Sequence, residues 1–436
     1  MPNPSSLSFQ GINTDWQYAG EGNFFGELEL TELARSFNEL ERTDLSPFFP
    51  DQYNNERTII IEQHIEPVLG MMSVVEPGMP AGSFREPAGR VRRRYVQPLI
   101  VREDDFLDQL LINQMRRPGS NEAYAPAEII AQRVAAMVRK HQNTIDFFRV
   151  QVLLGGINYT DPNTGVSVNV PTHIPKHNLF RYDGWNDTLA AGSVINGTPY
   201  KAAKNFTNNK GRPEALFFTN MAGTEAGVPW TRHDADIVRS LRLLKHYLKQ
   251  TNKNIFTHII MSGDLYTMLL ENDGLRAHAG YLAHLDSNWV ASTGIASPPG
   301  TMVRFIEGDI AEICGLKVIT HDDIMRHPET RELYKVWPAH KVALVAMNHH
   351  KFPDVRLGRT QYCLGESPDE KPGMWMRTLS SEASPPPSPP GVAIQMGDAF
   401  MPFAVYPEWI CLVDVCEPDD LESGILLAAD INFNLL

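Results

Sequence analysis

The stretch PAEIIAQRVAAMVRKHQNTIDFFRVQVLL, Pro126 to Leu154, decides how the chain is organised. Within it Ile130, Val134, Met137, His141, Ile145, Phe148 and Val152 recur at spacings of 4, 3, 4, 4, 3 and 4, the period of one apolar helix face. Proline fits the first turn, where its missing N–H would have no helical partner anyway, and Gly155-Gly156 stops the helix. At a rise of 1.5 Å per residue such a helix would span ~43 Å, the width of a whole domain. It is a spine on which other elements must pack.

After the spine, Ile157 to Thr160 and Val166 to Val170 flank Asp161-Pro162-Asn163-Thr164-Gly165, which predicts a hairpin. The middle of the chain alternates: helix Asp234 to Lys249, strand Ile255 to Met261, helix Asp264 to Glu271, strand Leu316 to His321, strand Lys341 to Met347. That order predicts a small mixed α/β domain. Ser380 to Gly391 is a proline-rich tract that cannot join a sheet ladder and reads as a surface loop. Strands Trp409 to Cys416 and Ile425 to Leu435 close the sequence.

Before the spine lies a long predicted β-hairpin. Thr58 to His64 and Val68 to Val75 form its outgoing limb, Val91 to Val101 its return, and a turn-rich stretch around Pro77-Gly78 lies between them. The return carries Arg85, Arg90, Arg92, Arg93 and Arg94, followed at once by Glu103, Asp104 and Asp105. The first 57 residues predict one short helix, with Thr31 as its cap and Leu33, Phe37 and Leu40 on one face. Around it stand Trp16, Tyr18, Phe24, Phe25, Phe48, Phe49 and Tyr53, more aromatic surface than one helix can cover. These rings must dock on the body of the chain or on a neighbouring subunit, so the segment reads as an extended arm.

Thirty-nine Lys plus Arg against fifty-two Asp plus Glu leave a net charge of −13, the wrong sign for a general polyanion binder. Cys314, Cys363, Cys411 and Cys416 are too few and too scattered for a disulfide framework or a Cys-x-x-Cys zinc pair. The start, MPNPSSLSFQ, has neither a basic nor an apolar region, and no apolar run approaches the ~20 residues a bilayer requires, so a cytosolic protein without a membrane partner is expected.

Catalytic signatures are missing: there is no Walker loop, no Gly-x-Gly-x-x-Gly and no Gly-x-Ser-x-Gly. Three histidine clusters invite a metal reading: His233 with Asp234 and Asp236; His321 with Asp322, Asp323 and His327; His349-His350 with Asp354. None has a ligand spacing. His233-Asp234-Ala235-Asp236 reads as a helix start, and adjacent His349 and His350 should point apart on either a strand or a helix. His141, inside the apolar series of the spine, reads as a buried histidine with one hydrogen-bond partner. A basic ribbon can enter a nucleic-acid groove, but this one lacks interleaved aromatics except Tyr95, so pairing with carboxylates of another protein surface is the preferred reading. No catalytic residue, metal or cofactor is expected.

The order of elements resembles that of the major capsid proteins of tailed bacteriophages, the Hong Kong-97-like α+β fold, and among them the lambda-type major head proteins. The resemblance is carried by Asp44-Leu45-Ser46-Pro47-Phe48-Phe49-Pro50 running into Glu56-Arg57-Thr58-Ile59-Ile60-Ile61, and by Leu69-Gly70-Met71-Met72-Ser73-Val74-Val75-Glu76-Pro77-Gly78. Tyr95-Val96-Gln97-Pro98, the helix ending at Gly155-Gly156 and Tyr406-Pro407-Glu408-Trp409 add to it, so that it extends from about Thr31 to Leu436.

The resemblance implies an N-terminal arm (1–57), an extended E-loop hairpin (58–101) and a peripheral P-domain (102–225) with the spine at 126–154. An axial A-domain (226–405) holds the proline-rich loop 380–391, and C-terminal strands (406–436) return to the body. It implies a non-enzymatic homo-oligomer, hexamers and pentamers of an icosahedral shell around double-stranded DNA. Portal, scaffold and decoration proteins would be its partners, and it would be assembled in the host cytoplasm and kept in the virion. Subunit contacts would be made by Arg85, Arg90, Arg92, Arg93 and Arg94 and by Trp16, Tyr18, Phe24, Phe25, Phe48 and Phe49. The rival readings are a metal-dependent hydrolase at His321 or His349, and a tail or baseplate component.

Overall fold

The computed structural model describes residues 27–40, 44–65, 90–108, 126–161, 165–182, 184–185, 194–195, 198–199, 217–224, 227–276, 303–306, 309–326, 333–365, 367, 370–380, 391–417 and 426–427. The chain divides into two compact units, each assembled from separate stretches. One comprises 1–42, 51–142 and 360–401; the other comprises 43–50, 143–359 and 402–436.

In the first unit, helix α1 (Glu27–Leu40) is followed by strands β1 (Asp51–Asn54), β2 (Ile59–Ile65), β3 (Arg90–Val96) and β4 (Leu99–Asp108). Helix α2 (Pro126–Leu153) is the expected spine, and its last eleven residues belong to the second unit. The second unit adds the hairpin β5 (Gly156–Thr160) and β6 (Ser167–Pro171), then β7 (Leu179–Arg181) and β8 (Gly184–Trp185). It continues with α3 (Ile237–Asn252), β9 (His258–Met261), α4 (Gly263–Glu271), β10 (Val303–Ile306), β11 (Asp309–Ile313), β12 (Leu316–Thr320) and β13 (Lys341–Val345). β14 (Gly358–Cys363), β15 (Trp375–Ser380) and β16 (Gly391–Ala404) build the sheet of the first unit, and β17 (Ile410–Asp414) returns to the second.

The first unit is a five-stranded sheet, β1-β14-β16-β15, with β4 paired antiparallel to β16 over ten residues. On one face lie α1 and the first half of α2. Leu30 and Ala34 of α1, Ile130, Val134, Met137 and Val138 of α2, Met374 just ahead of β15, Met376 of β15, and Ile394 and Met396 of β16 form a single core, every member at most 4% exposed. Each buried Leu, Ile, Val or Met side chain among them contributes about 1.5–3 kcal/mol.

Thr31 does not cap α1, as the sequence suggested: the helix begins at Glu27, and Thr31 sits inside it, buried. Its hydroxyl donates to the carbonyl of Met376 (3.1 Å) and accepts from the amide of Met376 (3.0 Å), while Arg35 Nε donates to the carbonyl of Met374 (3.0 Å). The side chains of α1 thus complete backbone bonding on β15 that no strand supplies.

The return limb of the predicted hairpin also differs. It breaks at Gln97-Pro98, and Leu99 onward leaves β2 to pair with β16. Proline has no N–H for a ladder, so the ribbon ends where the sequence places it.

In the second unit the end of α2 buries Ile145, Phe147, Phe148, Val150, Val152 and Leu153, with Arg149 held by Asp146 (3.2 Å) and Ser46 (3.3 Å). Gly155 and Gly156 both have positive φ (124° and 146°), and a Cβ on Gly156 would lie 2.7 Å from the Pro171 Cα. Only glycine lets the β5–β6 hairpin start that close to the helix end. The main sheet has eight strands in the order β10-β11-β12-β9-β13-β17-β7-β8, with β9–β12 and β17–β7 parallel. α3 begins three residues later than the sequence suggested, because Asp236 is the cap and its carboxylate accepts from Arg239 N (3.0 Å). Asp234 instead takes both of its bonds from Arg232 (2.8 and 2.7 Å), which holds its carboxyl below the usual range.

Candidate subunit-contact surface

The β2–β3 ribbon pairs Ile59 with Val96, Ile60 with Tyr95, Ile61 with Arg94, Glu62 with Arg93 and Gln63 with Arg92. Side chains alternate across a strand, so these pairs divide between two faces. One face holds Ile59, Ile61 and Gln63, all buried, with Val96, Arg94 and Arg92 opposite them. The other is open: Ile60 is 46% and Tyr95 68% exposed, and beside them Arg93 Nε donates to Glu62 Oε1 at 2.7 Å. That ion pair is exposed on both sides, contributes about 0–1 kcal/mol, and fixes register more than it stabilises.

The arginine cluster is therefore divided. Arg93 is satisfied inside its own ribbon, Arg92 is exposed, and Arg94 is half-buried. For Arg90 only the backbone, as the first residue of β3, is described. Arg85, Trp16, Tyr18, Phe24 and Phe25 lie outside the described residues. The acidic step has partners within the chain as well: Lys140 bonds Glu103, Arg133 lies 3.7 Å from Asp105, and Asp104 accepts from Gln395 (2.6 Å).

Phe48 and Phe49, expected at subunit contacts, are 1% and 0% exposed. Phe48 meets His258 edge-on at 5.0 Å, and Phe49 fills the space a Cβ at Gly358 would need (2.6 Å). They are core residues of the second unit and offer a neighbour no ring surface. The open apolar pair Ile60–Tyr95 was not singled out from the sequence. Its signal was the period-two alternation of β2, which puts Ile60 opposite in direction to Ile59 and Ile61.

A cleft of about 320 Å³ opens in the first unit between Arg57, Arg102, Ile100, Leu364 and Trp375. Trp375 packs tightly on Gly397, where a Cβ would come within 2.4 Å of its ring, and the Arg377 guanidinium stands 5.2 Å over it. The cleft wall is thus apolar with a cationic rim.

The histidine clusters do not converge on an ion. Asp322 accepts from Gly263 N (2.6 Å), whereas His321 faces Asp323 at 3.6 Å and the Trp337 ring; His327 lies outside the described residues. His349 and His350 do not diverge as the sequence reading expected: they sit in an irregular bend with rings stacked 4.8 Å apart. Among the described residues no group of three or more His, Cys, Asp or Glu is placed to hold a metal. His141 is buried, as its place in the spine implied, with Nε2 2.9 Å from Asp398 Oδ2, an approach too oblique for a well-formed hydrogen bond. The thiols are unreactive in character: burial pushes Cys314 and Cys363 up to about 11, and Cys411 well above its ordinary value. No helix among the described residues is long and apolar enough to cross a membrane.

Residues 29–215 match the family described as phage major capsid protein E. The fold matches a prophage capsid structure from E. coli CFT073 at TM-score 0.50 and 10% identity, over 88% of this chain and 99% of that one.

Over residues 29–215 the chain is similar to phage major capsid protein E.

The chain also aligns with the capsid of cyanophage Pam1 (TM-score 0.44, 9% identity, 86% of this chain and 93% of that one). A further alignment is with the capsid of cyanophage P-SCSP1u (TM-score 0.42, 10% identity, 86% and 89%). No curated protein matches it in sequence. The mixed helix-and-strand fold is that of the prophage capsid structure.

Proposed function

We propose that the protein is a phage major capsid protein that assembles as hexamers and pentamers into an icosahedral shell enclosing double-stranded DNA, with the open face of the β2–β3 ribbon as a contact between copies. The supporting observation is that ribbon: two strands with one face buried in their own chain and the other presenting Ile60 and Tyr95 beside an exposed ion pair. A closed shell needs repeated heterologous contacts, and a projecting ribbon enlarges them beyond what a compact body offers. On this reading 1–57 is the arm, 58–101 the E-loop and 102–225 the P-domain. Residues 226–405 form the A-domain, and 406–436 the returning strands. Scaffold, portal and decoration proteins are separate partners, assembly takes place in the host cytoplasm, and the protein has no catalytic role.

From the ribbon's opposite face Arg92, exposed, and Arg94, half-buried, steer it onto carboxylates of the next copy, fixing orientation more than affinity. Arg92→Glu with Arg94→Glu should lower shell yield in electron micrographs, most strongly at low salt. Normal shells whose stability is the same in high and low salt would reject the steering role. Micrographs of the purified wild-type protein, co-expressed with its scaffold, test the shell itself; open tubes or rings instead of closed particles would reject icosahedral closure.

A further inference from the structure

The segment between β13 and β14 is held by an unusual contact. The His349 ring lies near-parallel to the His350 ring (4.8 Å, 27°) and to the Phe352 ring (5.2 Å, 26°), with Trp409 tilted against it at 5.8 Å. Asn254, at the end of α3 and 1% exposed, pins the same segment: its Oδ1 accepts from the His350 amide (3.2 Å) and its Nδ2 donates to the Asn348 carbonyl (3.4 Å).

These bonds fix the protons on both rings. The His350 amide can only donate, so the Asn254 atom facing it is the oxygen, and His350 Nδ1, 3.2 Å from that oxygen, must carry a hydrogen. The Lys351 amide donates to His349 Nδ1 (3.2 Å), so that nitrogen must be bare. Neutral His349 therefore has its hydrogen on Nε2, and its next proton can only land on Nδ1, facing the Lys351 N–H.

We propose that the stacked His349–His350 pair is an acid-released latch on residues 346–357, closed while both rings are neutral and opened when protons reach both. A proton on His349 Nδ1 abolishes the acceptor of the Lys351 amide. A single imidazolium is compatible with the faces of Phe352 and Trp409, whereas two in stacked contact repel. The charges that act on His350 are all of one sign: His349 and Lys351 on the segment itself and Lys249 on α3. Together with desolvation, the leading cause, they hold its pKa below the ordinary histidine value. The sign follows. A histidine kept neutral in the closed state favours closure above its free-state pKa, and that support fades as pH falls below it, tenfold in the opening equilibrium for each unit of depression.

Hydrogen exchange of the whole chain reads the latch at its own amides. Between pH 7.5 and 5.0, after correction for intrinsic exchange, protection at His350, Val355 and Leu357 should be lost in part. Amides of Ile259 and Ile260 in β9 should keep theirs. In His349→Phe, which keeps a stacked ring and removes the second charge, the acid loss at His350, Val355 and Leu357 should be smaller than in the wild type, since desolvation, Lys351 and Lys249 still act on His350. Full protection of the wild type at pH 5.0, or an equal acid loss in His349→Phe, overturns the latch. Should that variant not fold, imidazole titration of the wild type decides: two separated steps support the pair, and two independent ordinary midpoints refute it.

Discussion

Changing Ile60 and Tyr95 together to serine separates folding from assembly. Ile60 is 46% and Tyr95 68% exposed, so the free chain loses only the buried half of one side chain and third of the other, and its stability should fall by about 2 kcal/mol. If a neighbouring copy covers the face, a further cost appears only in the shell. A tyrosine ring buries roughly 150–250 Å², of which two-thirds remains to be covered, about 2.5 kcal/mol at ~25 cal/mol per Å². Half of a buried isoleucine adds about 1 kcal/mol. Each contact would weaken by about 3.5 kcal/mol, a few hundredfold in its equilibrium constant. The double variant should therefore stay folded, with a modestly lowered melting point, while sedimenting as free subunits or capsomers, and raising salt should not restore shells. Wild-type yields of closed particles with unchanged resistance to denaturant would refute the reasoning.

Four further outcomes follow from the packing. Thr31→Val removes the hydroxyl that serves both backbone groups of Met376 and should cost about 1–3 kcal/mol in denaturant unfolding, whereas Ser36→Ala on the exposed side of α1 should cost under about 0.5 kcal/mol. Gly156→Ala should destabilise by about 1–3 kcal/mol or prevent folding, because φ is 146° and the Pro171 Cα blocks the methyl; a stability equal to wild type would contradict the φ argument. Asp398→Ala strands His141 in the core and should cost about 3 kcal/mol or more, whereas the double change with His141→Leu should recover much of it in a double-mutant cycle; additive costs would mean the two side chains do not interact. Burial pushes His340 down to about 4, so it stays neutral in the fold, its contribution is complete above the free value of 6.5, and stability should decline by about 3 kcal/mol as pH falls from 6.5 to 4. His340→Gln should flatten that decline.

The spine and the Gly155-Gly156 stop depend on neighbours three or four residues away and could be read from the sequence. The same holds for the β5–β6 hairpin, whose turn chemistry is local. His141 was legible too, because its place in the apolar series put it inside. The break at Pro98 inside the expected Val91–Val101 limb and the cap at Asp236, by contrast, emerged only in the structure. What else the sequence reading missed came from contacts distant in the chain. Phe48 and Phe49 were placed on a subunit surface because no local partner was visible; their partners are His258 and the open space at Gly358. The Thr31 hydroxyl was taken for a cap because its true acceptor lies 345 residues away.

By itself, then, the amino-acid sequence determined the spine, the β5–β6 hairpin, the helix–strand order of the middle of the chain and the absence of catalytic signatures, since helix period and turn preference act over one or two turns of chain. The strands β1, β14, β15 and β16 were not legible in it. Tertiary structure alone decided which aromatic rings are core, which ribbon face stays open, and that His349 and His350 stack. Those outcomes depend on long-range packing, where a bend pinned by Asn254 overrides the geometry that adjacent residues would take on a regular helix or strand.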